Sequence, residues 1–178
     1  MLRHAESVGE VASRVEVTAW RPQHSRLALL YVIHAPADGL RLPPMAEPAR
    51  VNGLWRHTCL EAFIRTPGSA AYYEINLSPS TRWAAYRFDG YRDGMIHLEL
   101  PTPQIESRFY PERHELEALI DLSGVPELSW SDWCLGLSAI IEDVDGEKAW
   151  WALAHPSDKP DFHHPDSFAL TLPPVEPA

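Results

Sequence analysis

The sequence has few basic residues, and they form no cluster. Its 15 lysines and arginines are outnumbered by 25 aspartates and glutamates, which gives a formal net charge of −10. Binding to nucleic acid requires a basic stripe, and an anionic membrane surface attracts basic segments in the same way. We therefore expect neither nucleic acid nor a membrane among the partners of this protein.

Long apolar runs are also missing. No stretch approaches the ~18 apolar residues that cross a bilayer, and the N-terminus lacks the apolar segment of a secretory signal. The only two cysteines, Cys59 and Cys134, each lie in an apolar, strand-like run. We expect both to be reduced, buried core residues of a cytoplasmic protein. A disulfide between them is the first alternative. A catalytic thiolate is the second and is less favoured, because neither cysteine has a nearby histidine or helix start.

Proline and tryptophan are abundant, with 17 and 7 residues respectively. Prolines break helices and divide the chain into short segments, most of which alternate between apolar and polar residues. This pattern predicts an all-β fold: a two-sheet antiparallel β-sandwich, jelly-roll-like, with about ten or eleven strands in a single domain spanning residues 1–178. The one helix candidate is a short turn around Ser129–Trp133, and 36–53 is a long proline-rich loop.

The alternation predicts a meander of three antiparallel neighbours in the middle of the chain, joined by turns at 67–69 and 79–81. An apolar run on both faces of 26–35 predicts a central strand covered on both sides. The predicted strands are Arg14–Trp20, Arg26–Ala35, Thr58–Thr66, Ala70–Ser78, Arg82–Asp89, Met95–Leu100, Glu106–Tyr110, His114–Leu122, Cys134–Asp143, Lys148–Ala154 and Phe168–Leu172.

The middle strand of this meander separates two kinds of side chain. Alternation assigns its odd-numbered residues to the core and its even-numbered residues to the opposite face, which carries Tyr72, Glu74, Asn76 and Ser78. A ring stacks on the C–H face of a sugar, while a carboxylate and an amide pair with its hydroxyls. This face is therefore a candidate site for a polyhydroxylated ligand, and an ordinary solvated sheet face is the alternative.

The segment 150–165 is rich in histidine and proline. One of Trp150 and Trp151 should face the core and the other should face outward. The histidines of this segment fit no zinc spacing, so we predict that they hold no metal and make hydrogen bonds in a loop fixed by prolines. Glu61 and Glu74 could pair across neighbouring strands as the acid and base of a hydrolase, although structural carboxylates are commoner. The sequence has neither a nucleophile elbow nor a glycine-rich phosphate loop.

Three runs resemble the DOMON-like ligand-binding domains, a group related to family 9 carbohydrate-binding modules. They are LWRHTCLEAFI at 54–64, YYEINLSPSTRWAAYRFDGYR at 72–92 and WWALAHPSDKPDFHHPDSFAL at 150–170. The resemblance implies a jelly-roll-like β-sandwich whose ligand, a sugar or haem, lies in a cleft on one sheet or at its rim.

In the sugar-binding relatives two tryptophans enclose the terminal sugar, and Trp55 stands where the first would fall. The loop that should supply the second has Phe162, His163 and His164 instead. The haem-binding relatives use a methionine and a histidine, and the internal methionines of this chain are Met45 and Met95. No Asp-rich loop stands out for the calcium that the sugar-binding modules carry.

We predict a non-catalytic domain that binds a carbohydrate or a similar small polar ligand and needs no cofactor. A haem- or metal-binding domain, a domain that binds a protein partner on an exposed sheet and a carboxylate-dependent hydrolase are the alternatives. The candidate ligand-binding residues are Trp55, Glu61, Glu74, Asn76, Arg87, Trp150, Trp151, His155, Lys159 and His163.

Overall fold

A computed structural model, which describes residues 1–175, contains two antiparallel β-sheets of eight and four strands. The strands are β1 (Leu2–Arg3), β2 (Arg14–Gln23), β3 (Arg26–His34), β4 (Cys59–Arg65), β5 (Tyr72–Leu77), β6 (Trp83–Phe88), β7 (Ile96–His97), β8 (Gln104–Tyr110), β9 (Arg113–Asp121), β10 (Trp133–Glu142), β11 (Lys148–Ala152) and β12 (Leu170–Leu172). Single-turn 3₁₀ helices lie at Ala37–Gly39, Leu54–Arg56, Pro126–Leu128 and Pro165–Ser167. The larger sheet has the order β1-β11-β10-β4-β5-β6-β7, with β12 also paired to β10, and the smaller has the order β2-β3-β9-β8.

The inner faces of the two sheets share one hydrophobic core. Leu29 and Tyr31 of β3 and Ile75 of β5 are fully buried in it, and each large apolar side chain that is buried contributes roughly 1.5–3 kcal/mol. Trp133, at the start of β10, is also fully buried and donates its indole N–H to the carbonyl of Leu128 at 2.8 Å. The predicted antiparallel two-sheet sandwich is therefore confirmed, whereas the jelly-roll-like connectivity stays a prediction.

Several local predictions need correction. The structure has twelve strands, because the two-residue strand β1 pairs with β11 and is too short to show alternation. The strand predicted over 95–100 is reduced to β7. The single helical turn predicted around Ser129–Trp133 lies earlier in the chain, as the 3₁₀ helix Pro126–Leu128 with Pro126 at its first position, and Trp133 instead begins β10. Strand β3 is central in its sheet, but its outward-facing Leu30 and Val32 are only half-buried, so its predicted cover on both faces is incomplete.

The β4–β5–β6 meander forms as predicted and places polar side chains of neighbouring strands side by side. Glu61 on β4 is opposite Asn76 on β5, and Glu74 on β5 is opposite Tyr86 on β6. Directly opposed residues of an antiparallel pair point to the same face, so these four side chains lie together on the outer face of the larger sheet. The short connections between the strands fix this register.

In residues 1–175 no helix is long and apolar enough to cross a membrane.

The two cysteines are unlike in exposure and should differ in reactivity. Cys59 is buried, and burial raises the pKa of its thiol well above the usual value, an effect to which the nearby Glu61 and Glu74 add. Cys134 is only half-buried, which corrects the expectation that both cysteines are buried. Its side chain is on the outer face beside Arg65 and Thr171, near the end of the sheet.

We expect a thiol reagent to modify Cys134 in the native protein and Cys59 only after unfolding, because the thiolate is the reactive species. Mass spectrometry of timed reactions checks this expectation, with Cys134→Ser as the matched variant. Rapid labelling of native Cys134→Ser would show that Cys59 is accessible.

Candidate functional site

The outer face of β4, β5 and β6 forms the floor of a cavity of about 770 Å³. Three connecting segments, at 50–57, 89–97 and 155–167, surround it and cover parts of the sheet. The residues that line it are Asn52, Gly53, Trp55, Arg56, Glu61, Phe63, Glu74, Tyr86, Phe88, Arg92, Met95, His97, Pro160 and His163. The cavity is concave and mostly apolar with a few convergent polar groups, which is the usual character of a small-molecule site.

Hydrogen bonds to the meander hold the first of these segments in place. The backbone N–H of Val51 donates to the carbonyl of Trp83 at 2.8 Å, and the Tyr86 hydroxyl donates to Oδ1 of Asn52 at 2.9 Å. Gly53 then takes a φ of 76°, in the left-handed region that favours glycine, at the start of the 3₁₀ helix that carries Trp55. This turn places the indole at the rim of the cavity.

Aromatic rings form the apolar part of the floor. Phe63, Tyr72, Tyr86 and Phe88 pack in a second hydrophobic cluster, separate from the main core. The rings of Tyr72 and Phe88 are stacked, with centroids 4.7 Å apart and planes within 6°. A floor of this kind presents flat apolar surface to a ligand, while the hydroxyl of Tyr86 adds a polar group.

Glu61 and Glu74 are the buried carboxyl groups of the floor, only 3% and 6% exposed. The Ser138 hydroxyl donates to Oε2 of Glu61 at 2.8 Å, and the Asn76 amide donates to Oε1 of Glu74 at 2.8 Å. Burial raises the pKa of Glu61 to about 8, with a further contribution from the charge of Glu74. Burial likewise raises the pKa of Glu74 to about 7, against the hydrogen bond from Asn76 and the charge of Arg92.

His163 closes one side of the cavity as a neutral ring. Burial, and secondarily the charge of Arg92, lowers the pKa of His163 to about 4. Its Nδ1 is 2.7 Å from the hydroxyl of Tyr72, and its Nε2 is 3.8 Å from Oε2 of Glu74. The hydroxyl of Tyr72 also accepts the backbone N–H of Arg92 at 3.2 Å. Tyr72 therefore joins the two connecting segments that flank the cavity.

An ion pair joins the same two segments. The Arg92 guanidinium donates to Oδ1 of Asp161 at 2.8 Å, and the Tyr91 hydroxyl donates to the other carboxylate oxygen. Burial would raise the pKa of Asp161, but the hydrogen bonds from Tyr91 and Arg92 outweigh it and lower that pKa. The backbone N–H of His163 also donates to Oδ1 of Asp161, at 3.2 Å, so Asp161 is an anion held by three donors, one of which is the guanidinium of Arg92.

Trp55 supplies an exposed aromatic surface at the rim, with 52% of its area accessible. The Arg56 guanidinium lies 5.5 Å from its ring centroid, within the range of a cation–π contact. Because Trp55 contributes little to the core, its exposure is consistent with a role in binding.

Four of the ten predicted ligand-binding residues line the cavity: Trp55, Glu61, Glu74 and His163. Asn76 is fully buried beneath it, where it donates to Glu74, and its own Oδ1 has no hydrogen-bond partner in the described part of the chain. Asn76 thus holds a carboxyl group of the floor and is not part of the lining.

The prediction that Arg87 shares this face is wrong. Arg87 is opposite Tyr73 on β5, so it points to the inner side of the sheet, where it forms an ion pair with Asp89. Tyr86, opposite Glu74, is the outward-facing residue, and the arginine of the cavity is Arg92. Strand β6 has large apolar residues on both faces, so the pattern of its sequence does not show which face is the outer one.

The remaining predicted residues lie outside the lining. Trp151 is buried in the core. Trp150 is half-buried on the outer face next to Ile140, and two strands, β10 and β4, separate it from β5. Nε2 of His155 lies 2.9 Å from the carbonyl oxygen of Leu2, outside the cavity lining. Lys159 is exposed, and its neighbour Pro160 reaches the cavity instead.

Sequence reasoning missed several members of the lining. Phe63 and Phe88 could have been found from the β4–β5–β6 register, since both alternate with inward-facing residues. Arg92, Met95 and His97 come from the segment after β6, where no local pattern indicates that the chain turns back over the sheet.

Residues 1–175 contain no group of three or more His, Cys, Asp or Glu side chains arranged to hold a metal ion.

A second cavity, of about 390 Å³, lies on the outer face of the four-stranded sheet and includes Trp20. Its charged lining residues, Arg26, Glu106 and Glu117, are exposed or half-exposed. It therefore lacks the buried titratable groups that distinguish the first cavity.

The fold and the first cavity define a two-sheet β-sandwich with a concave, aromatic-floored cleft on one sheet. Two solved structures share this fold. A candidate carbohydrate-binding protein from Bacteroides uniformis matches with a TM-score of 0.66 and 17% identity, over 90% of this chain and 78% of its own. A family 9 carbohydrate-binding module from Caldicellulosiruptor kristjanssonii, solved with cellotriose, matches with a TM-score of 0.53 and 12% identity, over 94% and 86%.

These comparisons confirm the resemblance to family 9 modules at the level of the fold, and the relation to DOMON-like domains stays a prediction. No protein-family profile and no curated protein matches the sequence.

Proposed function

We propose that this protein binds a carbohydrate or a similar small polyhydroxylated ligand in the 770 Å³ cavity and does not transform it. The observation that carries this proposal is the pair of buried carboxyl groups, Glu61 and Glu74, set among aromatic rings at the floor of an open cleft. Carboxyl oxygens pair with ligand hydroxyls, and flat rings pack on the C–H faces of a sugar. The two neighbours named for carbohydrate binding support the proposal through the shared fold.

A glycan array tests this function directly. We expect the purified protein to bind one class of saccharide, and we expect Glu74→Gln to change the strength or selectivity of that binding. An array on which the folded protein binds no saccharide above background would count against the proposal.

Arg92 and Arg87 form a matched pair for locating the site. Arg92 lines the cavity and bridges its two flanking segments through Asp161, whereas Arg87 faces the other side of the sheet. We expect Arg92→Gln to weaken saccharide binding by about tenfold, because it removes the ion pair with Asp161 that joins the two flanking segments of the cavity. Arg87→Gln should leave the affinity within a factor of two or so. Titration calorimetry measures both, and equal losses in the two variants would place the ligand elsewhere.

Carboxylate-dependent hydrolysis is the second candidate function, because Glu61 and Glu74 both reach the cavity. A hydrolase needs one ionised and one protonated carboxyl group at its working pH. Prolonged incubation with the saccharides that bind, followed by mass spectrometry of the products, distinguishes the two functions. Our proposal predicts intact saccharide, and cleavage that is lost in Glu61→Gln would establish hydrolysis.

The geometry does not favour haem. Met95 and His163 both line the cavity, but the ring nitrogens of His163 face the Tyr72 hydroxyl and the carboxyl group of Glu74. An axial ligand needs one of these nitrogens free to point at the iron. The absorbance spectrum of the purified protein after mixing with haemin tests this point, and a sharpened, shifted Soret band would reinstate haem.

A further inference from the structure

The carboxyl groups of the cavity floor have no cationic partner among residues 1–175. In the part of the chain that the structure describes, Glu61 makes no ion pair, and the one basic side chain within ion-pair distance of Glu74 is His163, whose ring is neutral. Their hydrogen-bond donors, Ser138 and Asn76, are uncharged. A buried carboxylate without a cation is costly, so ionising this pair requires a positive charge from outside.

The two arginines of the lining do not meet this need. Arg92 lies close enough to lower the pKa of both carboxyl groups, but its guanidinium is bonded to Asp161. Arg56 is exposed at the rim, above the ring of Trp55. The other titratable groups around the pair are Cys59 of β4, Tyr72 of β5 and Tyr86 of β6, which are neutral near pH 7 because burial raises the pKa of each. His97 also lines the cavity, but it is exposed, with its ring against that of Tyr86 at a centroid distance of 5.4 Å.

The apolar lining of the same cavity also suits a cation. The rings of Phe63, Tyr86 and Phe88 line the floor beside the carboxyl groups. The face of an aromatic ring attracts an ammonium group, most strongly where water is excluded. Carboxyl groups and ring faces together therefore form a surface that attracts positive charge.

We infer that the ligand of this cavity is an amine-bearing saccharide, whose ammonium group lies against Glu61 and Glu74 while its ring packs on the aromatic lining. This inference rests on the proposed carbohydrate-binding function and names the class of carbohydrate. Neutral and N-acetylated sugars lack the charge that the carboxyl pair requires, so they are expected to bind less tightly.

Binding of an ammonium group should displace a proton. Burial raises the pKa of both carboxyl groups, so the empty cavity retains carboxyl protons near neutral pH. An ammonium ligand stabilises the carboxylate form, and the displaced proton passes to the buffer. A neutral sugar does not favour the carboxylate form in this way, so its binding releases little or no proton.

Titration calorimetry at about pH 6, where an amino sugar is mostly in its ammonium form and the carboxyl pair retains its protons, tests the inference with three probes. The probes are the β-1,4-linked trimers of glucosamine, of N-acetylglucosamine and of glucose, which differ only at one ring substituent. We expect the glucosamine trimer to bind at least about tenfold more tightly than either other trimer, a difference of about 1.4 kcal/mol. Repeating the titration in buffers of different ionisation enthalpy should show release of up to one proton per ligand bound.

Matched variants keep the test specific to the carboxyl pair. Glu74→Gln retains the size of the side chain and an oxygen that can accept the amide of Asn76, and it should bring the affinities of the three trimers to within about threefold of each other. Glu10→Gln makes the same charge change at an exposed position outside the cavity lining and should leave the preference intact. Thermal unfolding of each variant establishes that it is folded.

The outcomes separate this inference from the proposed function. Equal or tighter binding of the glucose or N-acetylglucosamine trimer would overturn the amine preference and leave carbohydrate binding standing. A preference for the glucosamine trimer that persists in Glu74→Gln and Glu61→Gln would overturn the role of the carboxyl pair. Failure of all three trimers, together with an empty glycan array, would overturn both.

Discussion

Glu61→Gln should raise the free energy of unfolding by on the order of 5 kcal/mol above about pH 8 and leave it nearly unchanged below about pH 4.5. The carboxyl group of Glu61 titrates near 4.5 when the chain is unfolded and near 8 when it is folded and buried. The unfolded chain thus loses its proton first, and the wild-type protein loses stability as the pH rises between these values. Glutamine cannot ionise, so the variant escapes this loss.

Urea denaturation of wild type and variant across this pH range measures the difference. Glu74→Gln should also raise the free energy of unfolding as the pH rises, between about pH 4.5 and about pH 7, the folded-state pKa of Glu74. Wild type and variant must be compared at the same pH, because other groups also make stability depend on pH. Burial lowers the pKa of His114 and His163 to about 4, so at acid pH the free energy of unfolding of both proteins rises with pH. Exposed Glu10→Gln serves as the control. A Glu61→Gln effect that does not grow with pH would mean that Glu61 is already ionised in the folded protein.

Trp55→Ala should weaken saccharide binding by about 1–3 kcal/mol, which is roughly 5- to 150-fold, without lowering the melting temperature. Half of this side chain is accessible, so its removal opens no cavity in the core and mainly removes stacking area. Calorimetry with the glucosamine trimer measures the affinity, and differential scanning calorimetry measures the stability.

Trp20→Ala is the matched control, because Trp20 is 39% exposed on the outer face of the other sheet. It should leave the affinity unchanged. If Trp55→Ala instead lowers the melting temperature by several degrees and leaves binding intact, Trp55 is a packing residue.

The position of the carboxyl groups could be predicted because strand β5 alternates without ambiguity. Its inward side chains Tyr73, Ile75 and Leu77 are all buried in the main core, so Glu74 and Asn76 must point to the opposite, outer face. The short β4–β5 connection then brings Glu61 to the same face. The sequence could not indicate that connecting segments bury this face, which changes it from a solvated surface into the floor of a cavity.

Which residues of β6 face outward could not be predicted in the same way. Trp83 and Ala85 face inward and Tyr86 and Phe88 face outward, so both faces read as apolar. The turn before the strand also contains Thr81 at a φ of 73°, a conformation that few non-glycine residues adopt. The sequence does not indicate this irregular turn, so it could not show that Tyr86 is opposite Glu74 and that Arg87 is opposite the inward-facing Tyr73.

The walls of the cavity depend on contacts between distant parts of the chain. Arg92 and Asp161 are 69 residues apart, and Tyr72 and His163 are 91 apart. Nothing in the local sequence of either segment specifies its partner. The histidine-rich loop was expected to make hydrogen bonds, and His163 does so with Tyr72, but its place at the cavity follows only from the folded chain.

The proposed ligand site is the outer face of β4, β5 and β6. The most direct test is to titrate the ¹⁵N-labelled protein with the glucosamine trimer and, separately, with cellotriose, and to map the resonances that shift. We predict that the indole N–H of Trp55 and the backbone amides of 52–63, 86–97 and 161–163 shift, while the indole of Trp20 and the amides of β2, β3, β8 and β9 do not. Shifts confined to Trp20 and the four-stranded sheet would contradict the assignment of the site.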